Sequence, residues 1–182
     1  MKNLFIITIL AVMATACGSG TQEKSEASSS NEITFSTDLE NIDSLLNEIP
    51  ASWKNEKTIA EGMAHSGKFA SKIDSTNEFS FVFEQKLSYI DARVPKKVHY
   101  TAWIYSDMAN TPGSIVVSVN NNAYYKGFKI ADFFPAGKEW KQVSATFELP
   151  ETLTGENIIK GYVWNQNKNP LIIDDISIKF EY

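Results

Sequence analysis

From Asn31 onward, apolar and polar residues alternate with a period of two in short segments separated by Gly, Pro, Asn and Asp, the pattern of half-buried antiparallel strands. The clearest segment covers 141–149, where Val143, Ala145, Phe147 and Leu149 alternate with Gln142, Ser144, Thr146 and Glu148. One face of that strand is expected to be buried and the other wet. Phe79, Phe81 and Phe83 alternate similarly, 115–119 is a β-branched run behind the turn Thr111-Pro112-Gly113, and Ile176, Ile178 and Phe180 close the chain. About eight or nine strands are expected. One stretch, 37–49, follows a helical period instead: Ile42, Leu45, Leu46 and Ile49 recur at i, i+3, i+4 and i+7, and Pro50 ends it. The absence of a repeat of about twenty to fifty residues argues against propellers and solenoids. The pattern predicts an all-β fold, a two-sheet antiparallel sandwich of jelly-roll type, with the one short helix near the N-terminus lying across an end.

Composition narrows this further. Lys2 supplies a short positive start, 4–14 is apolar but too short to cross a bilayer, and the small residues Ala14, Thr15 and Ala16 precede Cys17, the only cysteine. The stretch Ala14-Thr15-Ala16-Cys17-Gly18 resembles the lipobox of bacterial lipoproteins; the other reading is an ordinary buried thiol or a plain secretory signal. The resemblance implies cleavage before Cys17, a thioether-linked diacylglycerol on its sulfur and an amide-linked acyl chain such as palmitate on its amine. Several acyl chains anchor firmly where one binds only marginally. The division expected is a leader over 1–16, a lipidated and disordered tether over 17–32 rich in Ser, Gly, Glu and Lys, and a single domain over 33–182. The implied location is the bacterial cell envelope, at the outer membrane. With Cys17 acylated no disulfide can form, so the core must hold the domain alone. The leader carries Lys2 and no acid, leaving sixteen basic against twenty-two acidic residues, a net charge of minus six, which disfavours nucleic acid as a partner.

Four fragments, in order, resemble the galactose-binding-like jelly roll of the carbohydrate-binding modules that accompany cellulases and xylanases. They are Asp38-Leu39-Glu40 followed by Trp53; His65-Ser66-Gly67-Lys68-Phe69; the strand from Trp140 to Phe147; and Tyr162-Val163-Trp164-Asn165 with Ile172-Ile173-Asp174-Asp175-Ile176. The match spans nearly the whole domain and departs from the pattern between Glu40 and Trp53, where relatives have a short glycine-rich loop. The resemblance implies a structural calcium held by Glu40 (or Asp38), the carbonyl of Lys68, and Asp174, an oxygen set suited to a hard cation. From the residues alone, counting back from Ile178 and Ile176 puts Asp174 and Ile172 on the core face, and Asp175 with Ser177 and Lys179 on the other. A carboxylate aimed at the core needs a cation or several donors. The metal-free alternative is bonding to backbone N–H groups at a bulge, or to a lysine.

Sugar recognition in such modules stacks aromatic rings on pyranose C–H faces, with amides or acids bonding the hydroxyls. With Val98, Tyr100, Ala102 and Ile104 facing the core, His99, Thr101, Trp103 and Tyr105 stand outside. The alternation also admits the inverted assignment, because Tyr100 and Tyr105 are comparable amphipaths. Trp103, Tyr105, Tyr124, Tyr125 and Trp164 are the candidate platforms, and Asn165, Gln166 and Asn120 the candidate hydroxyl partners, while Trp53 and Trp140 are assigned to packing. His65 reads as a turn residue beside Ser66-Gly67, and the chain has no HExxH, G-x-S-x-G or P-loop motif. The expected function is therefore a membrane-anchored, non-catalytic lipoprotein that presents a polysaccharide- or oligosaccharide-binding face. The alternative from another class is a scaffold lipoprotein using that face for an envelope protein partner; a small glycan-active enzyme would instead show paired carboxylates across a cleft.

Overall fold

The computed structural model describes residues 31–48 and 52–182. The leader, Cys17, nearly all of the tether, and Ile49 and Pro50 of the expected helix lie outside the described residues. In chain order the elements are β1 (Glu32–Thr37), α1 (Ile42–Leu46), β2 (Trp53–Lys54), β3 (Ile59–Glu61), β4 (Phe69–Ile73), β5 (Val82–Lys86), α2 (Leu87–Ile90), β6 (Lys97–Ser106), β7 (Ser114–Val119), β8 (Tyr124–Lys129), β9 (Glu139–Glu148), β10 (Ile158–Trp164) and β11 (Leu171–Glu181). The strands exceed the number expected because β2 and β3 are only two and three residues long, too short for alternation to register. They form two antiparallel sheets. The larger has the order β3-β4-β11-β6-β9, with β1 also on β11, and the smaller β2-β5-β10-β7-β8. β11 is long enough to take β4 against residues 171–173 and β1 against 176–181. Glu32, at the end of the expected tether, already pairs with Glu181.

Alternation decides what fills the space between the sheets. Val98, Tyr100, Ala102 and Ile104 of β6 and Val143, Ala145 and Phe147 of β9 point inward from the larger sheet; Phe83, Ile115, Val117, Ile159 and Val163 point inward from the smaller. All are buried, and each large side chain contributes roughly 1.5–3 kcal/mol by leaving water.

Three sequence expectations change. The helix is shorter than its period suggested, because Thr37 closes β1 and accepts the Leu39 N–H on Oγ1 at 2.9 Å, while Asp38 Oδ1 accepts the Glu40 N–H at 3.1 Å. Such local side-chain bonds hold the backbone out of the helix. Leu39, at φ 62°, turns into the core instead. Phe79 does not share the face of Phe81 and Phe83. It precedes β5, makes an isolated bridge with Trp164 and is 43% exposed. Third, a bulge between Asp174 and Ser177, with Asp175 at φ 46°, breaks the count along β11. Leu171 and Ile173 point inward before it and Ile176, Ile178 and Phe180 after it, so Ile172 faces outward. Asp174 pairs with outward-facing Trp103 and is buried on the outside of the larger sheet, not in the core between sheets.

Gly161 positions the strand on which the candidate site depends. A methyl group there would lie 2.8 Å from Ile178 Cδ1 and 3.3 Å from the Tyr100 ring, both from the opposing sheet. The missing side chain lets Tyr100 lie across β10 while Tyr162 and Trp164 project from the other face. Gly161→Ala is expected to destabilise the domain by about 1–3 kcal/mol through overpacking. Urea unfolding would show a lower midpoint at unchanged slope; an unaltered midpoint would contradict this packing.

Candidate functional site

Part of the outer face of the larger sheet, around Trp103, is covered by its own chain. The loop between β3 and β4 folds over the β11 bulge, where Asp174 Oδ2 accepts the N–H groups of His65 at 2.8 Å and Ser66 at 3.0 Å, and Asp174 Oδ1 accepts that of Asp175 at 2.7 Å. Asp175 completes the clasp through His65 Nδ1 and Ser66 Oγ, each at 2.6 Å. Burial raises the proton affinity of Asp174; the N–H groups oppose that, and the neighbouring Asp175 charge adds to it. The His65 ring then stacks on Trp103 with centroids 3.8 Å apart and planes 12° off parallel. Trp140 packs against His65 and Tyr105, whose hydroxyl donates to Asp107 at 3.0 Å. Of the two expected sugar platforms on this sheet, Trp103 has one ring face taken by His65, while Tyr105 is held beside Trp140 and Asp107 and stays half-buried.

The residues named for calcium do not fit that ion. Glu40 Oε1 accepts the Lys68 and Phe69 N–H groups at 2.7 and 2.8 Å, which hold its carboxyl below the ordinary carboxylate range, the Phe69 bond contributing most. The Lys68 carbonyl accepts the Gly62 N–H at 3.0 Å, and Asp38 Oδ1 takes the Glu40 N–H. N–H dipoles pointing at these oxygens put positive charge where a cation would have to sit. Among the described residues no group of three or more His, Cys, Asp or Glu side chains could hold a metal. Backbone donors at the bulge meet the need of Asp174 instead.

The smaller sheet leaves its outer face open. Alternation projects Val82 and Glu84 from β5, Lys160, Tyr162 and Trp164 from β10, Val116 and Ser118 from β7, and Tyr125 from β8. Phe79 joins them because the chain bends at Ser80 and Phe81. The buried Ser80 hydroxyl accepts the Val163 N–H and donates to the Phe81 carbonyl, both at 2.9 Å, while Asn55 Nδ2 donates to the Phe79 and Ser80 carbonyls. Phe79 consequently lies 6.2 Å from Trp164 at 17° and edge-on to Tyr162 at 5.5 Å. Lys54, Asn55, Phe79, Val82, Glu84, Lys160 and Tyr162 line an open groove of about 360 Å³. Its floor carries the Lys160–Glu84 ion pair at 2.6 Å. Tyr125 is 59% exposed beside it, and desolvation, with Tyr162 nearby, raises the proton affinity of its phenol.

The remaining sequence candidates divide between this face and the interior. Trp164 and Tyr125 stand on it, and Gln166 is exposed just beyond β10. Tyr124 points the other way, opposite Val119, and packs against the core with its hydroxyl shielded. Asn165 is fully buried and donates to the Asn169 carbonyl, so it shapes the turn after β10. Asn120 Oδ1 accepts from Ile158 N and Asn157 Nδ2, bracing a hairpin end. Trp53 stacks on Phe81 in the core. Phe79 and Tyr162 stand on the open face without a distinct sequence signal: the first sits in an apparent strand period, and the second inside the fragment Tyr162-Val163-Trp164-Asn165.

No protein family profile and no curated protein matches the chain. Among solved structures it is similar to the N-terminal CBM22-1-CBM22-2 tandem domain of Paenibacillus barcinonensis Xyn10C, with 18% identity and a TM-score of 0.50, over 81% of this chain and 50% of that one. The CBM22-2 xylan-binding domain of the same protein gives 19% identity and a TM-score of 0.47, over 72% of this chain and 92% of that one. The CBM22-1-GH10 modules of Clostridium thermocellum xylanase 10B, complexed with xylohexaose, give 15% and 0.48, over 72% and 26%. At such identity the likeness to the tandem domain is one of fold: the β-sandwich of carbohydrate-binding modules.

The bulge clasp predicts a metal-independent domain. Thermal unfolding should give midpoints within about 1 °C of each other in EDTA and in calcium, whereas Asp174→Ala, which strips three N–H groups of their acceptor, should destabilise by about 1–3 kcal/mol. A rise of several degrees with calcium would refute this account of the bulge.

Proposed function

We propose that this domain is a non-catalytic module that binds a polysaccharide on the outer face of its smaller sheet, and that an acylated Cys17 holds it at the bacterial cell envelope. The carrying observation is the Phe79–Trp164 pair, near-parallel rings at 6.2 Å flanked edge-on by Tyr162. Rings held by bridge pairing and by the Ser80 bend offer apolar faces to the C–H faces of pyranose rings without a large ordering penalty. Glu84 and Lys160 beside them supply an acceptor and donors for hydroxyls. The fold shared with carbohydrate-binding modules is consistent with this reading and does not by itself establish it. The anchor is supported by the leader pattern and the single cysteine.

Isothermal titration against xylan, galactan and β-glucan oligosaccharides tests the face. Phe79→Ala and Trp164→Ala are each expected to weaken binding about tenfold, since a ring stack is worth about 0.5–1.5 kcal/mol. Trp103→Ala, on the covered part of the larger sheet, should lower stability and leave affinity alone. Loss of binding in the Trp103 variant, or a blank panel with folded protein, would overturn the assignment. The anchor is tested separately by fractionating cells that express Cys17→Ser. The variant should move from the membrane to the soluble fraction, and unchanged partitioning would refute acylation.

A further inference from the structure

Cations outnumber acids on the strands of the open face. Lys54, Lys86, Lys129 and Lys160 project outward from the smaller sheet, and Glu84 is the only acid its strands place there. Lys160 is neutralised by Glu84 at 2.6 Å and Lys86 by Glu156 at 2.7 Å, but Lys54 and Lys129 have no acidic partner among the described residues. On the larger sheet Lys97 lies 3.6 Å from Glu148 and 3.7 Å from Glu181 and Lys179 lies 2.9 Å from Glu32, while Lys72 on β4 projects outward with no ion pair among the described residues. A chain of net charge minus five thus leaves two unpaired cations on the outer face of its smaller sheet.

The geometry points to a ligand of matching sign: we infer that the polysaccharide held here bears carboxylates, as uronic acid residues spaced along an otherwise neutral chain. This rests on the glycan-binding reading and deepens it. Lys54 on β2 and Lys129 on β8 are on opposite edge strands, with the rings of β10 between them. Four strand spacings separate those edges, about 19 Å at roughly 4.8 Å each. Single cations that far apart suit intermittent charge on a chain crossing the strands; a ligand charged at every residue would bring anions against Glu84. The apolar rings serve the neutral sugars, and the edge lysines the acids.

The test uses two glycans, glucuronoxylan and polygalacturonate, each in native form and with its carboxyl groups chemically reduced to alcohols, titrated against the full-length protein in detergent. Native polygalacturonate, charged at every residue, should show no gain over its reduced form. Native glucuronoxylan should bind about tenfold tighter than its reduced counterpart, because two exposed ion pairs of a few-fold each are added. That preference should vanish in about 1 M salt, where screening acts within about 3 Å, and in Lys54→Gln/Lys129→Gln. Binding of reduced glucuronoxylan with no gain for its native form would overturn this inference alone and leave the lysines as guards of exposed strand edges. Failure of all four to bind would overturn the glycan-binding reading and this inference with it.

Discussion

A carboxylate taken out of water must find donors or surrender its charge, and at the β11 bulge three backbone N–H groups surround Asp174. Two of them come from His65 and Ser66, so the bonds are made only when the loop between β3 and β4 lies down on the sheet. Once there, the loop lays the His65 ring over Trp103. Burial of one acidic group therefore fixes the bulge, fastens a loop and covers Trp103. Main-chain dipoles supply the positive charge that the buried carboxylate requires.

The open face depends on a smaller device. Without the bend at Ser80 and Phe81, strict alternation would send Phe79 to the core side with Phe81 and Phe83. The Ser80 hydroxyl makes the bend stable by serving β10 and its own neighbour at once, so no buried polar group is stranded where the ladder is interrupted. On β10 the residue requirements of the two faces then separate. Gly161 is small because Tyr100 presses on it from the opposing sheet, while Tyr162 and Trp164 stand half-buried on the outer face with Phe79 packed against both.

Period-two alternation made the sandwich legible, and β6, β9 and the end of β11 lie as their patterns indicate. What alternation cannot register is an interruption of itself. The bulge moved Ile172 outward and put Asp174 outside the core, and the Ser80 bend released Phe79; both are fixed by hydrogen bonds to residues distant in sequence, His65 and Val163. The helix was overextended because its apolar period said nothing of the side-chain turns at Thr37 and Asp38. For the site, the types were readable and the covering was not. Trp103 and Trp164 look alike in sequence, both aromatic and both on outward strand positions, and they differ only in whether a loop lies on top.

That difference also orders the chemistry of the smaller sheet from its centre to its edges. Tyr162 and Trp164 occupy the middle strand, where neighbours on both sides keep water away and apolar contact is worth most; unpaired Lys54 and Lys129 occupy the edge strands, where a charge remains hydrated at little cost. An exposed ion pair contributes at most about 1 kcal/mol, so edge charges cannot supply the bulk of an affinity. They can discriminate between ligands whose apolar faces are the same, since removal of one carboxylate changes a pair and leaves a stack intact. A face built this way separates strength from selectivity along a single axis, and the separation follows from where the sheet is wet.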